Sequence, residues 1–369
     1  MTKPEHLAIA DKLRRASIDV QIVRGNAEVA EDSFFKINEQ GVVISPTEKI
    51  LCKHRTLATC IATRAILRGG TGNQYWKGFN AENQSIVIAR AGEIHSLLFS
   101  PPHKDPPESA VMDCPLGGFP NAAMPMVYQL VVAVVRKSRL SVGKNGDIDG
   151  SETLLILNEV RKLIWLLNSK EAGSLGILPA LYVYNSIGKY QPSAFLSLAM
   201  FFMDLRDRRQ LIAFTTVRES FESYYAKYKV LISQFVRKYG SLDRPAGKLV
   251  EFFHMVLDGL IHGKSEEVIT DELTSRFKFL NPEEDEFAKP KYRNFSKDVK
   301  TGRRLIDDIR ACSKCAICNG YVYPLSRSID HVKDKKLGGT AELENSASTH
   351  PYCNNSKDAL LASGRMILH

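Results

Sequence analysis

The chain has 369 residues, 44% hydrophobic and 25% charged, with a formal net charge of +9. Those proportions match an ordinary globular protein and exclude disorder throughout. The longest apolar stretches, PMVYQLVVAVV and SAFLSLAMFFM, are shorter than the roughly 18 residues of a membrane span, and the first residues lack the apolar run of a signal peptide. A cytoplasmic location is therefore expected.

The charge is uneven. From Ala288 onward 15 Lys and Arg stand against 8 Asp and Glu, while the preceding 287 residues carry 35 against 33. A polyanionic partner would act on the C-terminal part.

Residues 1 to about 280 read as a mainly helical domain with minor β structure. Ser45, Pro46 and Glu48 form a capping box that predicts one long helix ending near Gly69. ENQSIVIARAGE and part of NAAMPMVYQLVVAVV are candidate strands, being rich in β-branched residues. SETLLILNEVRKLIWLLNS predicts a helix capped by Ser151, with apolar residues at helical spacing. QPSAFLSLAMFFMDL, SFESYYAKYKVLISQFVRKYG and GKLVEFFHMVLDGLIHG predict three more, the second ending at Gly240.

Residues 281–306 follow as a charged linker and basic arm. Acids from Glu283 to Glu286 precede bases that include Lys297, Lys300, Arg303 and Arg304, with Tyr292 and Phe295 among them. Aromatic residues interleaved with bases suit a segment lying along nucleic acid.

Residues 307–369 hold the densest chemistry. Cys315 and Cys318 form one pair at x-x spacing, and His350 with Cys353 forms another, with 31 residues between Cys318 and His350. Zinc takes four tetrahedral thiolate or imidazole ligands, and each x-x pair supplies two from one tight turn. A structural zinc would close the loop between the pairs. Cys312 stands three residues before Cys315 as a competing thiol. Inside the loop lie Asp330 and His331 on a predicted short strand, a Gly-Gly bend, and Asn345. Asn354, its neighbour Asn355 and Lys357 open a helix, with Asn354 and Lys357 one turn apart.

This stretch resembles the HNH endonucleases: Asp330-His331, then Asn345 after the Gly-Gly loop, then Asn354 on a helix, framed by two ligand pairs. The second pair departs from the usual Cys-x-x-Cys, with His350 in place of the first Cys. The resemblance covers residues 310 to 362 and implies a small ββα-metal domain stapled by zinc. It implies hydrolysis of DNA phosphodiesters with Mg²⁺ or Mn²⁺, His331 as general base, and Asp330 and Asn354 as ligands of the hard ion. It further implies that Asn345 orients His331 and that Lys357 contacts phosphate. A second resemblance, on Phe35, Ile37, Asn38, Gly41, Ile44 and Ser45, is to the nucleotide-binding domain of GmrSD-type restriction enzymes. It implies a shortened or split relative serving in defence against foreign DNA. The helical region is expected to meet a protein partner or a second copy of the chain.

Overall fold

A computed structural model describes residues 4–15, 22, 29, 33, 44–240, 242–284 and 294–364. The chain divides into two compact units, Met1–Lys53 and His54–His369.

In the first unit, α1 spans Pro4–Arg15 and α2 spans Pro46–Lys53. The Ser45 Oγ accepts the Glu48 N–H at 3.2 Å, so the expected cap is made. The expected long helix is not: α2 stops at Lys53, and α3 runs over Ala58–Leu67. A continuous helix would give the Thr56 carbonyl to Cys60. Instead Cys60 donates to the Leu57 carbonyl, and Asp147 N–H takes Thr56 at 2.8 Å. Of the residues resembling the restriction enzymes, Phe35, Ile37, Asn38 and Gly41 lie outside the described residues.

The second unit is mostly helical. Its α4 (Ala81–Phe99), α5 (Met124–Lys137), α6 (Ser151–Leu167), α7 (Pro179–Tyr182) and α8 (Pro192–Asp207) come first. Then follow α9 (Leu211–Thr216), α10 (Arg218–Lys227), α11 (Lys229–Tyr239), α12 (Asp243–Ile261) and α13 (Glu266–Arg276).

Both candidate strands are helices. Val87, Ala91, Ile94 and Leu98 are buried along one stripe of α4, and Asn80 caps it by accepting the Asn83 N–H at 2.8 Å. Met126, Val127, Leu130, Val131 and Val134 do the same for α5. Burial of a stripe at helical spacing outweighs the weak β preference of valine and isoleucine.

Ser151 is the first helical residue rather than the cap. The cap is supplied by Asp147, which accepts the N–H groups of Gly150 at 2.9 Å and Thr153 at 2.8 Å. The predicted helix ending at Gly240 is also two, α10 and α11, separated at Tyr228. The centre of the unit is aromatic. Phe201 of α8 stacks on Phe221 at 5.9 Å and meets Phe253 of α12 at 5.6 Å.

From Lys297 onward the basic arm is helical. Ser296 caps α14 (Lys297–Ala311), which buries Thr301, Gly302 and Leu305 and leaves Lys297, Lys300, Arg303 and Arg304 exposed. Phe295 is exposed, and Tyr292 lies outside the described residues.

Two short strands follow, β1 (Ser328–His331) and β2 (Ser346–Thr349), paired antiparallel with Asp330 opposite Ala347 and His331 opposite Ser346. The described chain closes with α15 (Pro351–Asn355) and α16 (Lys357–Ala362). Among the described residues no helix is long and apolar enough to cross a membrane.

Candidate metal centre

The first ligand pair sits in a tight turn. Asn319, at φ 53°, donates its N–H to the Cys315 carbonyl at 2.8 Å, and Cys315 N–H reaches the Gly320 carbonyl at 2.9 Å. The turn is pinned to β2 by Ala316 N–H on the Ser348 carbonyl at 3.0 Å. Two residues after Ser348 the chain delivers His350 at the cap position of α15, and Cys353 follows inside that helix. This brings ligands separated by 31 residues into one group.

The ligand atoms of Cys315, Cys318, His350 and Cys353 lie within 4.8 Å of one another, and all four residues are buried. The His350 Nδ1 is 3.3 Å from the Cys318 Sγ and 3.6 Å from the Cys353 Sγ. A tetrahedron with Zn–S of about 2.3 Å and Zn–N of about 2.0 Å has N–S edges of about 3.5 Å. The other ring nitrogen, Nε2, donates to the Tyr321 carbonyl at 2.9 Å. That bond fixes the tautomer that leaves Nδ1 free to ligate. Cys312 stands apart, its thiol turned to the Asp308 carbonyl at 3.4 Å.

The electrostatics ask for a cation. Burial and Arg218 favour neutral His350, but the Cys318 sulfur and hydrogen bonds donated to Cys315 and Cys318 outweigh them and raise its pKa to about 9. Burial raises the Cys315 thiol, yet hydrogen bonds from Cys318, Cys353 and His350 overcome this and lower it far below the usual thiol range. Hydrogen bonds that the Cys353 thiol donates to Cys315 and Cys318 push it the other way. Such a set titrates together, and a Zn²⁺ ion satisfies its demand for positive charge at one point. The Cys₃His group can hold a structural zinc.

The group is fastened to the helical body through residues the sequence reading did not single out. Arg218 and Glu222 of α10 are fully buried and paired, with Nε to Oε1 at 2.8 Å. Glu222 also accepts the Tyr321 N–H at 2.6 Å and the Tyr182 hydroxyl at 3.0 Å. Arg218 donates to the Leu175 carbonyl at 2.6 Å. A Cβ added at Gly320 would come within 2.8 Å of the Arg218 Nε, so the turn needs glycine to close on the arginine. Tyr352 N–H meets the Ser174 carbonyl at 2.8 Å, and Ser326 is hydrogen-bonded to Ser174 and Ser169. The available signal was an Arg and a Glu four apart on a helix, which ordinarily marks a solvated face.

Beside the metal group, three of the expected residues meet at β1. Asn354 donates its amide to the Ser328 Oγ at 2.7 Å and the Ile329 carbonyl at 3.3 Å. Lys357 pairs with the Asp330 Oδ2 at 2.8 Å and also donates to the His331 carbonyl at 2.9 Å. Both partners of that ion pair are largely buried, at 15% and 14% exposure, so Lys357 is engaged with Asp330 rather than lying on a solvated face. The other carboxylate oxygen of Asp330 accepts the His331 N–H at 2.8 Å. The His331 imidazole is partly exposed and makes no hydrogen bond among the described residues.

Asn345 acts on the loop. It accepts the Lys333 N–H at 2.6 Å and donates to the carbonyls of Lys333 at 3.1 Å and Thr340 at 2.7 Å. Gly339 lets the loop close, since a Cβ there would fall 1.8 Å from the Lys333 carbonyl oxygen. The bases of α14 are separate from this cluster: Arg303 pairs with Asp307 at 2.7 Å and Arg304 lies 4.0 Å from Glu108.

No protein-family model, no curated protein and no solved structure matches the chain.

Proposed function

We propose that the segment from β1 to α16 is an HNH-type centre that hydrolyses phosphodiester bonds in DNA with Mg²⁺ or Mn²⁺. The observation that carries this reading is the convergence of two short helices on β1, Asn354 at Ser328 and Ile329 and Lys357 at Asp330. A zinc module with no reaction to perform has no use for an acid and an unbonded imidazole on one strand with an amide held against it. The resemblance to HNH enzymes rests on these residues and their order.

Asp330 offers a charged oxygen and Asn354 a neutral amide oxygen, a donor set suited to a hard cation. The bound ion would polarise the scissile phosphate and stabilise charge on the leaving oxygen. His331, next to Asp330 and free of internal hydrogen bonds, takes a proton from the attacking water. Asn345 holds the 333–340 loop and with it the end of β1. Lys357, once released from Asp330, presents its ammonium to a phosphate oxygen.

One observation favours a second reading. The Lys357–Asp330 ion pair already neutralises the acid, as a nucleic-acid-binding zinc module without cleavage would require. Incubation of zinc-loaded protein with supercoiled plasmid, with and without Mg²⁺ or Mn²⁺, separates the two. The nuclease reading expects metal-dependent nicking or linearisation that EDTA prevents and that His331→Ala lacks. Retardation of the plasmid on a gel without cleavage under any divalent ion selects the binding module.

A further inference from the structure

A cavity of about 460 Å³ opens between α10, α14 and the turn that carries Cys315 and Cys318. Its lining includes the aliphatic Leu181, Leu305, Ile306 and Ile309 and the aromatic Tyr321. It also includes the polar Lys227, Lys229 and Arg310 with Asn185, Ser186 and Ser223. No acidic side chain lines it.

The polar lining is biased toward donors. Lys229 is buried, with its ammonium 2.7 Å from the Ala180 carbonyl. Asn185 spends its carbonyl oxygen on the N–H groups of Ile187 at 3.2 Å and Lys189 at 2.8 Å, so its amino group is what remains for another partner. Lys227 is already matched by Glu266 at 2.7 Å. Arg310 is exposed and has no ion pair among the described residues. A planar fork of that kind engages two phosphate oxygens at once.

We propose that this cavity binds an organic phosphate monoester of mononucleotide size, with the phosphate on Arg310 and the organic part against the aliphatic side chains of α14. The Arg310 charge, with no acidic side chain in the lining to match it, calls for an anion. Serine hydroxyls and the Asn185 amino group complete the coordination of its oxygens, while the aliphatic lining selects against free phosphate. The volume lies within the range of about 300–1,000 Å³ usual for small-ligand sites. The cavity shares no lining residue with Asp330, His331 or Asn354, so the inference stands without the nuclease reading.

The test is isothermal titration of the zinc-loaded full chain with AMP, GMP, CMP and UMP, and in parallel with inorganic phosphate and the four nucleosides. At least one monophosphate is expected to bind tenfold or more tightly than both inorganic phosphate and its own nucleoside. Arg310→Gln should weaken that binding about tenfold or more. Ser223→Trp, at an exposed position on the rim, should fill the cavity and abolish binding, whereas His331→Ala should leave it unchanged. The proposal is overturned if none of the four exceeds inorganic phosphate, or if binding survives either Arg310→Gln or Ser223→Trp at wild-type affinity.

Discussion

Arg218 and Glu222 form an ion pair with no solvent exposure, and Glu222 spends its second oxygen on the N–H of Tyr321, whose own carbonyl holds His350. One carboxylate thus links α10 to a candidate zinc ligand through a single residue. Removing one partner of a buried pair leaves an uncompensated charge and typically costs about 3–5 kcal/mol. Glu222→Ala should lower the stability of the unit from His54 onward by that order and loosen the metal group at the same time. Urea unfolding followed by zinc release and by circular dichroism should give coincident transitions for the wild type. Clearly separated transitions would show that the metal segment and the helices fold independently, despite the shared carboxylate.

The four ligands predict one tightly held zinc per chain. Elemental analysis after exhaustive dialysis should return a ratio near unity, and Cys318→Ser should lower it steeply. Because structural zinc binding is coupled to folding, stripping with a strong chelator should expose residues from about 310 onward to proteolysis. Full folding of a zinc-free chain would exclude a structural role for the group.

His331→Ala removes the proposed base and none of the four zinc ligands. Loss of a positioned general base lowers rate by about 10²–10⁴-fold. Zinc content, melting temperature and DNA affinity should hold. Asp330→Ala and Asn354→Ala should instead shift the Mn²⁺ dependence to higher concentration, with partial recovery at saturation. A His331→Ala protein that cuts at the wild-type rate removes this residue from the mechanism.

In the proposed mechanism Lys357, paired with Asp330, competes with the divalent ion for that carboxylate. Lys357→Met should lower the Mn²⁺ concentration needed for half-maximal cleavage while reducing the maximal rate, because the variant loses both the competitor and a phosphate contact. An unchanged Mn²⁺ requirement would mean that the ion pair does not occupy the metal position.

The exposed bases of α14 should supply affinity without sequence choice. Replacing Lys297, Lys300, Arg303 and Arg304 with Gln should weaken binding to every duplex tested and flatten the dependence on salt. Arg303, already paired with Asp307, should contribute less than Lys297 or Lys300 when changed alone. Selective loss at one sequence would mean that the helix reads bases.

The amino-acid order by itself determined the metal group. Two ligand pairs at x-x spacing need only two tight turns, and Asn319, Gly320 and the start of α15 supply them locally. Helices with a clear apolar stripe, α6, α8 and α12, were legible for the same reason: their period is a local property. Tertiary structure decided where helices stop. The break after Lys53 could not be read from neighbours, because the Thr56 carbonyl is captured by Asp147, more than 90 residues away in sequence. The two stretches expected as strands, in α4 and α5, became helical because their buried stripes match helical spacing, which outweighs a β preference worth little on its own. The joining of the metal segment to the helical body was the least visible feature. A solvated Arg–Glu pair and a buried one have the same spelling, and only the packing of Gly320, Tyr321 and the Leu175 carbonyl around Arg218 and Glu222 distinguishes them.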